Sequence, residues 1–376
     1  MKKKVFDIIK KIVASAVFLS ILFTVLVQMS YLFRYEEKEK SVEILNHFYA
    51  EDKNTVDVAF VGSSGIYRFF IPALMHHETG ITSAMYAYPA FPFEVTKFAI
   101  DEFEKTQSPK LYVVEIRRLY SELNYAESGN KKDLITTKLH HISGMLSGMP
   151  VSLNRAGVIN KTITKYTDDN ELDWQFEYMR THYNWKDLKL NDIIVYLNNH
   201  FLKRDEYKEQ NKNKYKVSRM ATGVEPMKKP DLSSFTAERT MSKEDLEPLD
   251  ELLDYISKKN LNVLFITTPF PISETANAYE TFVQNYLAEK GIPYLDCNEY
   301  YDEIGLDFST DFYDNKHTNL AGSIKFTKFI SSYIAEHFNL QPTELNEKMK
   351  GEWTNAYTLW NDEIAIPGLK KIKEGK

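Results

Sequence analysis

Two observations predict an α/β fold with a central parallel sheet, and a third places it beside a membrane. Short apolar, β-branched runs alternate with amphipathic helical patterns in two blocks of the chain. Those runs lack polar alternation, as strands covered on both faces do. The third observation is a long uncharged stretch near the N-terminus. Together they predict a three-layer sandwich of helices around a parallel sheet, preceded by one transmembrane helix and carrying a mostly helical insertion. The composition, 43% hydrophobic and 27% charged over 376 residues, is that of a globular chain and excludes a disordered or fibrous one.

The stretch from Ile12 to Phe33, IVASAVFLSILFTVLVQMSYLF, holds 22 residues without a charge, against the roughly 20 that cross a bilayer. Lys2, Lys3, Lys4, Lys10 and Lys11 precede it with Asp7, whereas the charges just after it, from Arg34 to Lys40, cancel. The positive-inside rule therefore predicts a single-pass protein of the cell membrane, its N-terminus cytoplasmic and the rest extracytoplasmic. A cleaved signal peptide is the competing reading. The run exceeds a typical signal h-region, and no clear small-residue cleavage site follows it.

The whole chain carries −6, and its first 33 residues carry +4, leaving −10 beyond the anchor. That charge argues against a nucleic-acid partner. Cys297 is the only cysteine, so no intramolecular disulfide can form. The expected organisation is an anchor over 1–33, a charged helical stalk over 34–53, an α/β domain over 54–340 with an insertion at about 121–240, and a C-terminal extension over 341–376.

Taken in order, VDVAFVG (56–62), SAMYAY (83–88) and KLYVVEI (110–116) read as strands, with a helix from Phe93 to Lys105. The second block opens at Ser242, an N-cap with Asp245 three residues on. Leu246, Leu249, Leu252, Leu253 and Ile256 follow at helical spacing, and Asn260 closes the helix. NVLFITTP (262–269) and PYLDC (293–297) read as strands, and helices are expected at about 276–290 and 320–338. The insertion's aromatics, Trp174, Phe176, Tyr178, Tyr183 and Trp185, read as core. The C-terminal extension is expected to be partly ordered through Trp353, Tyr357 and Trp360, ending in a frayed basic tail.

In open α/β sheets ligands bind at the carboxyl ends of the strands. VGSSGIYRFF (61–70) places Ser63 and Ser64 there, where a serine can act as a nucleophile. A base and its orienter are available in DFYDNKHTNLAG (311–322): His317 can take the serine proton and Asp314 can fix its tautomer. Asp311 is a rival orienter whose spacing suits a solvated turn residue instead. Ser63 reads as a turn residue or supporting hydroxyl, and with Arg68 and Arg117 is a candidate for substrate binding. Salt bridges explain the two arginines equally well. Glu115 either points into the cleft or pairs with Arg117 or Arg118. Asn319 can cap the last helix. His76, His77 and Glu78 have a metal site's composition, but adjacent histidines diverge and no distal ligands stand out, so no metal and no cofactor is expected; His140 and His141 suggest one still less.

These residues carry a resemblance. A GSS turn ending the first strand and D-x-x-H before the final helix resemble the SGNH (GDSL-type) hydrolase superfamily, and the N-terminal span resembles its membrane-anchored, extracytoplasmic DltD-like branch. The resemblance covers about residues 54–120 and 243–338. It implies an SGNH/flavodoxin-like sheet, Ser64 as nucleophile, Asp314 and His317 as its partners, and oxyanion donors from the backbone N–H groups of Ser64 and Ala90, the latter in the position of the usual glycine. The usual asparagine after the third strand is absent; Arg117, Arg118 and Tyr120 follow instead, as in the DltD-like branch, which also lacks it. The implied function is a serine acyl-esterase or O-acyltransferase acting on acetyl or D-alanyl esters of a cell-envelope glycan or teichoic acid, with a membrane O-acyltransferase as partner. The alternative is an SGNH-fold binding or assembly protein with a weak or inactive site.

Overall fold

The five apolar runs pair into one sheet in the computed structural model, which describes residues 2–32, 42–127, 131–181, 186, 189–210, 212–216 and 220–375. The strands are β1 (Val58–Gly62), β2 (Ser83–Ala87), β3 (Leu111–Glu115), β4 (Val263–Thr267) and β5 (Tyr294–Asp296), all parallel in the order β2-β1-β3-β4-β5. Every residue of β1 to β4 is buried, which is why their sequences show no polar alternation. Successive side chains instead enter two different cores. Ala59, Val61, Tyr112, Val114 and Phe265 face one, and Val58, Phe60, Leu111, Val113 and Leu264 face the other. The first core is covered by the helices Thr96–Glu104, Lys243–Lys259 and Glu274–Glu289, and the second chiefly by Leu320–Phe338.

The helix boundaries follow from their caps. Ser242 and Asp245 form the expected capping box, and Asn260 ends that helix in the left-handed region at φ 53°. Asn319 caps Leu320–Phe338 by accepting from the N–H groups of Ala321 and Gly322. Gly322 lets this helix start close to the preceding loop, for a Cβ there would lie 2.5 Å from the Asp311 carbonyl.

The structure refines three expectations. Residues 34–53 are not a stalk throughout: Val42–Ala50 is a helix whose Ile44, Leu45 and Phe48 are buried in the sheet-covering cores. The charges that suggested a stalk precede it. The insertion is helical as expected, with Lys131–Gly148 and Leu153–Tyr166 as its main helices, but its Ile142, Met145, Val158 and Ile159 extend the first core. Buried Arg155 pins it by donating to the carbonyls of Leu146, Met149 and Trp174. Trp174 and Phe176 are core, while Tyr183 and Trp185 lie outside the described residues. The C-terminal extension forms helices Glu347–Trp360 and Ile366–Lys373. His76 and His77 stack on its Trp353 and Tyr357, and Glu78 forms a surface ion pair with Lys328.

One core acid sets a pH dependence of stability. Glu280 is buried; the Thr267 and Tyr120 hydroxyls beside it form no well-aligned hydrogen bond to its carboxyl and hold its pKa down only in part. Burial, and then the neighbouring Asp296, push its pKa well up; burial likewise raises Asp296 to about 7. The folded chain therefore keeps protons that the unfolded chain releases above about pH 4, and stability falls as pH rises from there through about 7. Glu280→Gln is expected to raise Tm and flatten that fall, as checked by thermal unfolding at about pH 5 and pH 8. An unchanged slope would contradict it.

Candidate active site

The strand order places a crevice between the carboxyl ends of β1 and β3, where the chain's winding reverses direction. The residues leaving those two strands meet there. After β1, Ser63 adopts an extended conformation and caps a one-turn helix, Ser64–Tyr67, by accepting from the Gly65 N–H at 3.3 Å. A helix of four residues adds little dipole, so hydrogen bonds must organise the turn. Glu115, the last residue of β3, supplies them: its Oε2 accepts from the Ser63 N–H at 2.9 Å and the Ser63 hydroxyl at 2.6 Å. The glycines of VGSSG make room for this carboxylate. A Cβ on Gly62 would sit 2.7 Å from the Glu115 Cβ, and one on Gly65 would sit 2.3 Å from its Oε1. Neither glycine has a positive φ, so close approach is what the position demands.

The second component is a hairpin of β6 (Phe312–Asp314) and β7 (His317–Thr318), joined through Asn315 and Lys316. Asp314 and His317 are opposite one another in its register, which is how the D-x-x-H spacing brings carboxylate to imidazole. His317 Nδ1 lies 2.9 Å from both Asp314 oxygens, and its Nε2 lies 2.7 Å from Ser64 Oγ. An ionised carboxylate only accepts, so Nδ1 carries the hydrogen and Nε2 accepts from the serine hydroxyl. Asp314 also accepts from the Lys316 N–H at 2.8 Å. Burial pushes the Asp314 carboxyl up, but the hydrogen bonds from His317 and the backbone hold it below its usual value.

Burial lowers the His317 pKa to about 4, helped by the Arg117 and Arg68 charges and opposed by Asp314. The imidazole is therefore neutral at physiological pH and free to accept a proton. Arg117 has a second role that its sequence position does not reveal. Its Nε pairs with Glu115 Oε1 at 3.2 Å and its Nη1 donates to the Lys316 carbonyl at 3.1 Å, with the guanidinium over the Phe270 ring. Through Glu115 it thereby ties the serine turn to the histidine hairpin, whose Lys316 lies 199 residues beyond Arg117 in the chain.

The sequence candidates are thus sorted. Ser64, His317 and Asp314 come together as a hydrogen-bonded relay. Ser63 and Arg117 are buried, and both engage Glu115. Arg68 remains half-buried at the rim; its guanidinium lies 5.5 Å from the Tyr313 ring and has no carboxylate partner among the described residues. Asp311 does not reach His317. It is buried rather than solvated, accepting from the Asp307 N–H and from Lys325. Ala90 stands in the turn after β2, behind Pro89, at φ 49°, a left-handed conformation that glycine adopts without strain. The backbone N–H groups of Ser64 and Ala90 donate to no described residue. Sequence reasoning undervalued Glu115; the signal that could have singled it out is the Gly-x-x-Gly spacing around the serines, which needs a bulky neighbour.

The arrangement can pass a proton from Ser64 Oγ to His317 while Asp314 stabilises the imidazolium. A scan against protein-family models finds no match for the chain, and a search of curated proteins finds none either.

Proposed function

We propose that the chain is a membrane-anchored, extracytoplasmic serine acyl-esterase or O-acyltransferase of the SGNH type. Its substrate would be an acetyl or D-alanyl ester on a cell-envelope glycan or teichoic acid. The observation that carries this reading is the relay from Ser64 through a neutral His317 to Asp314, at 2.7 and 2.9 Å. The strand order, with the serine at the sheet's switch point, and the apolar N-terminal helix support it. A signal sequence passes the same length and hydropathy test as an anchor.

In this mechanism Ser64 Oγ attacks the acyl carbonyl as its proton moves to His317 Nε2. The oxyanion is met by the N–H groups of Ser64 and Ala90. Collapse expels the alcohol, which takes the proton from His317 and leaves the acyl group on Ser64. Water then gives hydrolysis, or a polymer hydroxyl gives transfer, with His317 again the base. Arg68 suits an anionic group of the acceptor, such as a phosphate. A membrane O-acyltransferase is the partner this reading implies. The alternative, an inactive binding protein of the same fold, is disfavoured by a serine already hydrogen-bonded to its base.

Intact-mass spectrometry of the full chain in detergent after exposure to a fluorophosphonate tests the proposal. One adduct is expected on the parent protein and none on Ser64→Ala. A folded parent that stays unlabelled would overturn it.

A further inference from the structure

An apolar surface beside the N-terminal helix takes no part in the chemistry above. The helix Leu190–Leu197 runs on into a wider turn, Asn198–Leu202. Leu190, Ile194, Leu197 and Phe201 recur every three or four residues and so share one face. With Leu202 they are between 46% and 78% exposed. A contiguous apolar stripe of this kind marks a contact surface in a soluble domain.

Its position identifies what covers it. The N-terminal helix Lys2–Leu32 is exposed from Val5 to Val25 and covered by the rest of the protein from Leu26 onward. Its uncharged part begins at Ile12, and from there to Gln28, the first side-chain amide, are 17 residues, about 26 Å, within the range that crosses a bilayer when lysines such as Lys10 and Lys11 snorkel at the inner end. Tyr196, on the helix that carries the stripe, donates its hydroxyl to Gln28 Oε1, one turn beyond the exposed stretch. The insertion also reaches the N-terminal helix through Phe176, whose ring lies 5.9 Å from that of Phe23. The stripe therefore lies where the end of a bilayer-spanning helix emerges from the hydrocarbon. The rings of Tyr196 and Phe201 pack edge to face, and exposed Lys186 flanks the stripe, with Lys203 at its far end paired to Glu206 at 3.0 Å. Aromatic and basic residues around an apolar face are what an anionic lipid interface recognises.

We propose that residues 190–202 are a membrane-surface element: the stripe rests among the acyl-chain ends of the leaflet from which the N-terminal helix emerges. The insertion then fixes how the domain sits on the bilayer. This inference is independent of the acyl chemistry and rests on the N-terminal helix spanning the membrane.

The test is a polarity-sensitive NBD label on Leu197→Cys in the full chain, reconstituted into phosphatidylcholine–phosphatidylglycerol vesicles. Cys297 is fully buried and does not compete for the label. Lys258→Cys, on an exposed helix face, and Val17→Cys, inside the span, serve as references. Blue-shifted emission and quenching by lipids spin-labelled high on the acyl chain are expected at 197, and neither at 258. A label at 197 as water-exposed as that at 258 would overturn the proposal. A blue shift without lipid quenching would overturn it too, assigning the stripe to a second copy of the chain. An unquenched label at 17 would remove the anchor, and the inference with it. Phe201→Cys provides an independent reading of the same face.

Discussion

His317→Ala is expected to lower kcat for an activated ester such as p-nitrophenyl acetate by about 10⁴- to 10⁶-fold, the range found when one member of a serine relay is removed. The ring sits at the cleft with its side chain 15% exposed, so the fold should survive its loss. The same residue sets the pH profile. Its pKa is lowered to about 4, so the neutral base is present above that pH and is protonated as pH falls through it. The kcat/KM of the parent protein should hold steady from neutrality down to about pH 5 and fall below it, as steady-state assays across that range would record. A decline centred near about 6.5, the ordinary histidine value, would mean that neither burial nor the Arg117 and Arg68 charges depress the ring's pKa. A weak base has less drive to take a proton. Asp314, 2.9 Å from Nδ1, offsets this by stabilising the imidazolium as it forms.

Glu115→Ala is expected to be the most damaging substitution for stability. The Glu115 side chain is fully buried and balances the nearly buried Arg117, and the Ser63 N–H loses its acceptor with it. Removing one partner of such a pair leaves an uncompensated charge and typically destabilises by about 3–5 kcal/mol. Urea unfolding at constant m-value would measure the loss. Glu115→Gln keeps an acceptor for Ser63 but not the charge opposite Arg117, so it should fall between the parent and the alanine variant. A loss below about 1 kcal/mol for the alanine variant, the level of an exposed surface pair, would refute this account of Glu115.

The sheet was legible because its strands are short, apolar and bounded by Gly, Pro and polar residues, signals that depend on local sequence alone. All five expected strands pair in parallel. The Ser64, His317 and Asp314 cluster was legible because a serine after the first strand and a D-x-x-H before the last helix announce themselves separately. The roles of Glu115 and Arg117 were not, since a charged residue at a strand end reads equally as a ligand contact or an ion pair. Only the three-dimensional closeness of the β1 and β3 ends decides it. The burial of the helix Val42–Ala50 was obscured by the charges preceding it, although Ile44, Leu45 and Phe48 already marked an apolar stripe. The packing of the C-terminal extension depends on rings from distant segments, His76 on Trp353 and His77 on Tyr357, which no local pattern encodes.

Ser64 and His317 lie 253 positions apart, and the hairpin that carries the histidine is held both by Arg117 and by the cap of the helix that follows it. A nascent chain displays its serine long before it has a base. During synthesis the serine is an ordinary alcohol, and it acquires its partner only once β7 has been made and the helix Leu320–Phe338 has docked. On the proposed function, reactivity would be a late certificate of folding, and a chain cut short upstream of β7 would lack the base while its first strands were already in place.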